Sequence, residues 1–191
     1  MKKLSKKSVL LFAAVMALCA FAMPAMASAA NWDPAGSHTI TSPALSLEIP
    51  ALNAGSSCHA AFVVDANGTS QLTVTSATFS GCVGTKDATG CDVHATQGSG
   101  PDWVVDGANA SAIRVTNINV DYAFIGSLTC VVGGNTVNVA GTLTAGGFNN
   151  STHSLCLTGS TGLQGSLGGM PLGPVTLDGC LTDTAGTLTL S

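Results

Sequence analysis

The chain has 191 residues, of which 8% are charged and 5% aromatic, and it carries 23 glycines. Four of its six cations, Lys2, Lys3, Lys6 and Lys7, sit at the N-terminus, so past residue 29 only Lys86 and Arg114 face all ten carboxylates, a net charge of −8 with His neutral. That balance excludes electrostatic binding to nucleic acid or anionic lipid, and it reads as the charge that keeps a weakly polar surface in solution.

The N-terminus reads as a secretory signal. A lysine-bearing start is followed by an uncharged apolar run from Val9 to Met23, then by Ala25-Met26-Ala27 and Ala27-Ser28-Ala29, two overlapping A-x-A sites. The favoured cut follows Ala29, and Cys19 leaves with the signal. The run is too short for a spanning helix, and no later apolar stretch is long enough for one. Residues 30–191 are therefore expected to be exported to the periplasm or beyond as one domain. With few Lys and Glu and much Gly, Thr, Ser, Val and Asn, that domain reads as all-β.

Thr39 to Ile49 suits an edge strand, because Pro43 has no amide hydrogen for a central ladder. Cys58 to Val64 and Gln71 to Phe79 flank Asp65-Ala66-Asn67-Gly68, a hairpin signal. In the second of these strands Leu72 and Val74 share one parity while Ala77 and Phe79 share the other, which requires a β-bulge near Thr75 or Ser76. Residues 81–100 read as a loop. Trp103 to Val105 is a short strand, and Ala112 to Phe124 alternates with a second slip in parity, between Val115 and Ile118. Ser127 to Val132 and Thr136 to Ala145 form a hairpin over Gly133-Gly134-Asn135. A Gly-rich loop is expected over 159–174, with closing strands at Val175 to Leu177 and Thr187 to Leu190. Many short strands between turn clusters point to an antiparallel β-sandwich, with barrel closure as the alternative. A membrane barrel would need strands of about ten alternating residues and aromatic girdles, which this pattern lacks.

Six cysteines follow the signal: Cys58, Cys82, Cys91, Cys130, Cys156 and Cys180. An even count in an exported chain reads as three disulfides, for which fifteen connectivities exist. The preferred set is Cys82–Cys91 across the short Gly-rich loop, Cys156–Cys180 near the C-terminus, and Cys58–Cys130. Cys91-x2-His94 and Cys58-His59 supply only half of a metal-binding pattern, so no metal or other cofactor is assigned.

Catalytic signals are weak. His38, His59, His94 and His153 are the neutral-pH proton carriers, and none stands in a recognisable catalytic motif. Asp65-x-Asn67-x-Thr69 fails the calcium-loop pattern, since Gly68 falls at position four and Ser76 stands at position twelve. The sequons at Asn67 and Asn109 are idle behind a signal of bacterial type. Trp103 reads as a core or rim plug. Trp32, beside the new N-terminus, reads as an exposed contact for apolar material.

The segment Leu72-Thr73-Val74-Thr75-Ser76-Ala77-Thr78-Phe79-Ser80-Gly81, the Pro101-x-Trp103 element and Val115-x-Asn117-Ile118-x-Val120 resemble the small secreted protein activators of alkane oxidation, of PraA/PraB type. The likeness spans roughly residues 40 to 145 and departs in the Cys- and Gly-rich C-terminal part. It implies an exported, non-enzymatic protein that promotes growth on alkanes and is linked to surfaces and biofilms, and it brings no catalytic residues. The leading expectation is an accessory protein acting at hydrophobic interfaces, its partner a hydrophobic substrate or a cell-surface or matrix component. An adhesin or pilin-like subunit joined by β-augmentation is the alternative, and a secreted hydrolase, which needs converging His and Asp, is the third.

Overall fold

Long alternating segments of this composition cannot satisfy their backbone groups one at a time, so they pair into a sheet, and a sheet that closes on itself has no exposed edge. The computed structural model describes residues 30–126, 129–158 and 161–191 and shows that outcome. Its strands are β1 (Trp32–Asp33), β2 (Gly36–Ile49), β3 (Ala54–Ala66), β4 (Gln71–Lys86), β5 (Cys91–Gln97), β6 (Trp103–Asp106) and β7 (Arg114–Gly126). They continue with β8 (Asn135–Thr144), β9 (Phe148–Asn149), β10 (Ser154–Cys156), β11 (Thr161–Leu167), β12 (Met170–Asp178), β13 (Cys180–Asp183) and β14 (Thr189–Leu190). A 3-10 turn, Pro50–Leu52, separates β2 from β3.

Neighbours run antiparallel in the order β2-β3-β4-β5-β7-β8-β11-β12, and β12 returns to β2, which closes an eight-stranded barrel. The fold is all-β and disulfide-stapled, and barrel closure is the form it takes. β6 continues the line of β5 and also bridges β4 and β7. A ribbon, β13-β10-β9, leaves the barrel from β2, and β1 pairs with β14.

Inward positions are apolar: Leu45, Leu47 and Ile49 on β2, Phe62 and Val64 on β3, Val120, Tyr122 and Phe124 on β7, and Val137 and Val139 on β8 are all buried. The outer face is largely hydroxyl and amide. There Asn138 donates to Asn119 Oδ1 at 2.6 Å and to Asp121 Oδ1 at 2.8 Å. Apolar inside and polar outside is the reverse of a channel-forming membrane barrel. Among the described residues no helix is long and apolar enough to cross a membrane.

Both expected bulges are present. Val63 pairs Ser76 and Val64 pairs Val74, leaving Thr75 as the extra residue. On β7 the register jumps between Val115 and Ile118, with Asn117 at φ +62°. Other expectations need correction. β2 is not an edge strand, since it pairs β3 on one side and β13 and β12 on the other. Pro43 is tolerated because it lies in the register shift between Ser42 and Leu45, where the ladder is already interrupted. The loop over 81–100 is mostly strand, because β4 runs on to Lys86 along β3 and turns directly into β5.

The strand expected at Ser127 to Val132 is a turn over its described residues, with Gly133 N donating to Cys130 O. The Gly-rich loop near 159–174 is instead the β11–β12 hairpin. Gly168 (φ +55°) and Gly169 (φ +83°) form its turn, which permits backbone that a β-carbon would strain. Residues 159 and 160 of that expected loop lie outside the described residues.

Candidate functional site

The cysteines set the frame. The bonds are Cys58–Cys82, Cys91–Cys130 and Cys156–Cys180. Only the last agrees with the preferred set. Cys82 faces Cys58 because β4 continues beside β3, with Ser57 opposite Val83, and Cys130 reaches Cys91 because its turn folds over Gly126, the partner of Cys91. Three disulfides suit an oxidising compartment such as the periplasm or the extracellular space. Ala29, the expected cleavage position, lies outside the described residues.

Both tryptophans point to the same interior space. Trp32 is 1% exposed, not the surface contact expected of it. Its Nε1 donates to Ser70 O at 3.0 Å, and its ring meets Phe148 edge-on at 5.0 Å. The short β1–β14 pairing holds it there, with Asn31 and Ser191 exchanging backbone hydrogen bonds just beyond it. Trp103 opens β6, is also buried, and lies 5.9 Å from Phe62.

Between them is a cavity of about 70 Å³. Ile40, Phe62, Val64, Leu72, Val74 and Val105 line its barrel side, together with Val115, Ile118, Leu143 and Leu177. Leu155, Leu157 and Leu181, from the C-terminal ribbon and the residue after it, cover it together with Trp32 and Phe148. The Cys156–Cys180 bond ties β10 to β13 across this cover. Among the described residues that line it, none carries a hydroxyl, amide or charge. Water needs two to four polar partners to occupy such a space, and a void so lined stays dry or accepts an apolar guest. Burial drives the Tyr122 phenol well above its usual range, as this apolar interior requires.

His38 and His153 both contact the loop that carries Asp183, while His59 and His94 lie on the outer face. His59 sits on a shallow outer recess of about 480 Å³ over the Pro43 bulge, lined by Thr41, Ser42, Thr78 and Ser80. His94 Nε2 lies 3.1 Å from Asp92 Oδ2 on the exposed face, and His153 Nδ1 lies 2.8 Å from Leu188 O. Asn67 and Thr69 bond each other in the β3–β4 turn at 2.6 Å, and the Asn109 sequon closes a similar turn on Ser111. Among the described residues no group of three or more His, Cys, Asp or Glu side chains is placed to hold a metal ion.

One polar cluster escaped the sequence reading. Asp183 is buried, and its Oδ2 accepts from Thr187 N at 2.8 Å and Leu188 N at 2.9 Å, while Oδ1 lies 3.9 Å from His38 Nδ1. Burial by itself would raise this carboxyl, but backbone N–H groups of Leu188, Thr187 and Ala185, together with His38, hold it below its usual range. His38 Nε2 lies 2.9 Å from Pro34 O, so the cluster fastens the N-terminal crossing to the C-terminal loop. A lone Asp in a Thr- and Gly-rich tail gave no signal of it.

The architecture thus defines an antiparallel barrel around an apolar chamber. The chain matches the family of alkane oxidation protein activator PraA/PraB-like proteins over residues 1–190, and it belongs to that family. The match extends through the C-terminal part, where the resemblance read from sequence stopped. No curated protein and no solved structure matches it.

Proposed function

We propose that the mature chain is an exported, non-enzymatic accessory protein of alkane use that engages apolar molecules directly, taking them into the barrel chamber. The observation that carries this is the chamber: its described lining residues are all apolar or aromatic, and a disulfide-tied ribbon covers part of it. The family's link to alkane oxidation supplies the class of compound. Export follows from the N-terminal pattern of residues 1–29 and suits the three disulfides.

The test is uptake of n-hexane by the purified protein without turnover. Saturating n-hexane should raise the melting temperature, since a guest that binds only the folded state stabilises it by mass action. Hexane should be recovered unchanged, and model esters should not be hydrolysed. A melting temperature unmoved by hexane would sink the chamber reading.

A second reading, adsorption at an oil–water interface, is favoured by a different observation. Val83 and Ile125, 61% and 54% exposed, flank Asp92 on adjacent strands, and Val131 is 78% exposed in the turn beyond. That patch, and not Trp32, would make the contact.

A further inference from the structure

The chamber is too small for a long alkane. By the measure in which one water needs about 10–15 Å³, a space of about 70 Å³ has room for roughly five to seven water-sized groups. A longer chain can use it only if one end enters and the rest leads out, and the β4–β5 seam of the barrel wall is a place for that. β4 is laddered to β6 over Gln71–Val74, and to β5 at the single pair Val83–Asp92. Between those points β4 and β5 run side by side, and the backbone of Ala77 donates to a side chain, Gln97 Oε1, at 3.0 Å.

The seam leads inward. Val74 and Trp103, the last pair of the β4–β6 ladder, both line the chamber, and Ala77 lies three residues further along β4. Next along the seam, half-buried Phe79 packs 5.9 Å from chamber-lining Phe62 and 6.4 Å from Tyr122. An apolar wall therefore runs without a charged side chain from the seam to the cavity. The strap across it is one neutral amide on a flexible side chain, which can swing aside at the cost of one hydrogen bond and leave the barrel ladders intact.

Resting on the chamber reading above, we infer that the site takes the terminal segment of an unbranched alkyl chain, which enters between β4 and β5 past the Gln97 strap and leaves its remainder in the seam. Cyclic or branched skeletons fit such a slit poorly.

The experiment titrates the full mature protein with 1-hexanol, 1-octanol, 1-decanol and 1-tetradecanol, and with cyclo-octanol, measuring affinity and exchange rates by NMR. Kd should fall about fourfold per added carbon, the equivalent of ~0.8 kcal/mol per buried methylene, and then level off without loss of binding. Cyclo-octanol should bind more weakly than 1-octanol. Gln97→Ala should speed both association and dissociation by about three- to tenfold, the equivalent of one hydrogen bond, with Kd changed less than about twofold. Gln97→Glu keeps the acceptor and should restore rates near those of the wild type.

Abrupt loss of binding beyond seven carbons would mean a sealed chamber and overturn the seam while sparing the chamber. Rates untouched by Gln97→Ala would do the same. Failure of the wild type to bind any alcohol, 1-hexanol included, would overturn both.

Discussion

Replacing Trp32 with Ala tests whether the N-terminal crossing belongs to the core. The side chain is 1% exposed, closes one side of the chamber, meets Phe148 edge-on at 5.0 Å and donates to Ser70 O at 3.0 Å. Truncating a buried Trp costs about 3–5 kcal/mol in packing, and leaving the Ser70 carbonyl unpaired adds about 1–3 kcal/mol if water cannot reach it. Because the enlarged void opens beside the terminal strands, partial collapse and hydration should hold the total near the lower end, about 4 kcal/mol. For a domain of this size each kcal/mol moves the melting temperature by about 2–4 °C, so a fall of about 8–16 °C is expected. Trp32→Phe keeps most of the packing, loses the indole N–H and should cost about 1–2 kcal/mol. Urea melts of the three proteins, with intrinsic fluorescence and a quencher to report indole exposure, decide the matter. A Trp32→Ala protein within about 1 kcal/mol of wild type, together with ready quenching of Trp32, would mean that the β1–β14 pair does not dock and that Trp32 is a surface residue.

Three further outcomes are expected. Gly68 has φ +71° and only open space where a β-carbon would stand, so Gly68→Val should cost about 1 kcal/mol or more through backbone strain alone, read as a shift in urea midpoint at constant slope. Asp183, whose carboxyl is held below its usual range, contributes stability that is present above the unfolded-state value of about 3.9 and lost as pH falls through and below it. Asp183→Asn should therefore lower stability at pH 7 by about 1.5–3 kcal/mol and flatten the acid limb below about pH 4, and an unchanged limb would assign acid sensitivity elsewhere. Non-reducing peptide mapping of the exported protein should find an N-terminus after Ala29, no free thiol, and the pairs Cys58–Cys82, Cys91–Cys130 and Cys156–Cys180. Recovery of a Cys82–Cys91 peptide would refute the continuous β4–β5 hairpin.

What could be read in the sequence was local. Parity requires a bulge wherever a strand must keep one face inward, so Thr75 and the slip before Ile118 were legible without a structure. Barrel closure was named only as the alternative to a sandwich, and the pairing that makes it was not legible, because it depends on Thr176–Asp178 meeting Ser46–Glu48 across more than a hundred residues, which no periodicity encodes. Two of the three disulfide pairings failed for a related reason, although the count of three and Cys156–Cys180 held. A Gly-rich stretch such as Gly81 to Gly90 reads as a loop, yet here its glycines let β4 continue beside β3, and this moved Cys82 away from Cys91. Trp32 was misread because a tryptophan near a terminus is exposed unless something pairs with that terminus. The partner, Leu190, comes from the other end of the chain. The chamber combines side chains from most of the barrel strands with the C-terminal cover, and each alone looks like ordinary core.

The central claim is that an apolar guest sits inside the barrel, and intermolecular nuclear Overhauser effects from 13C-labelled n-octane to the aromatic protons of the folded protein test it most directly. The account predicts cross-peaks to the Trp103 indole and the Phe62 ring, accompanied by methyl contacts from Val74 and Leu143. Cross-peaks confined to Val83, Ile125 and Val131 would place the hydrocarbon on the outer surface and contradict it.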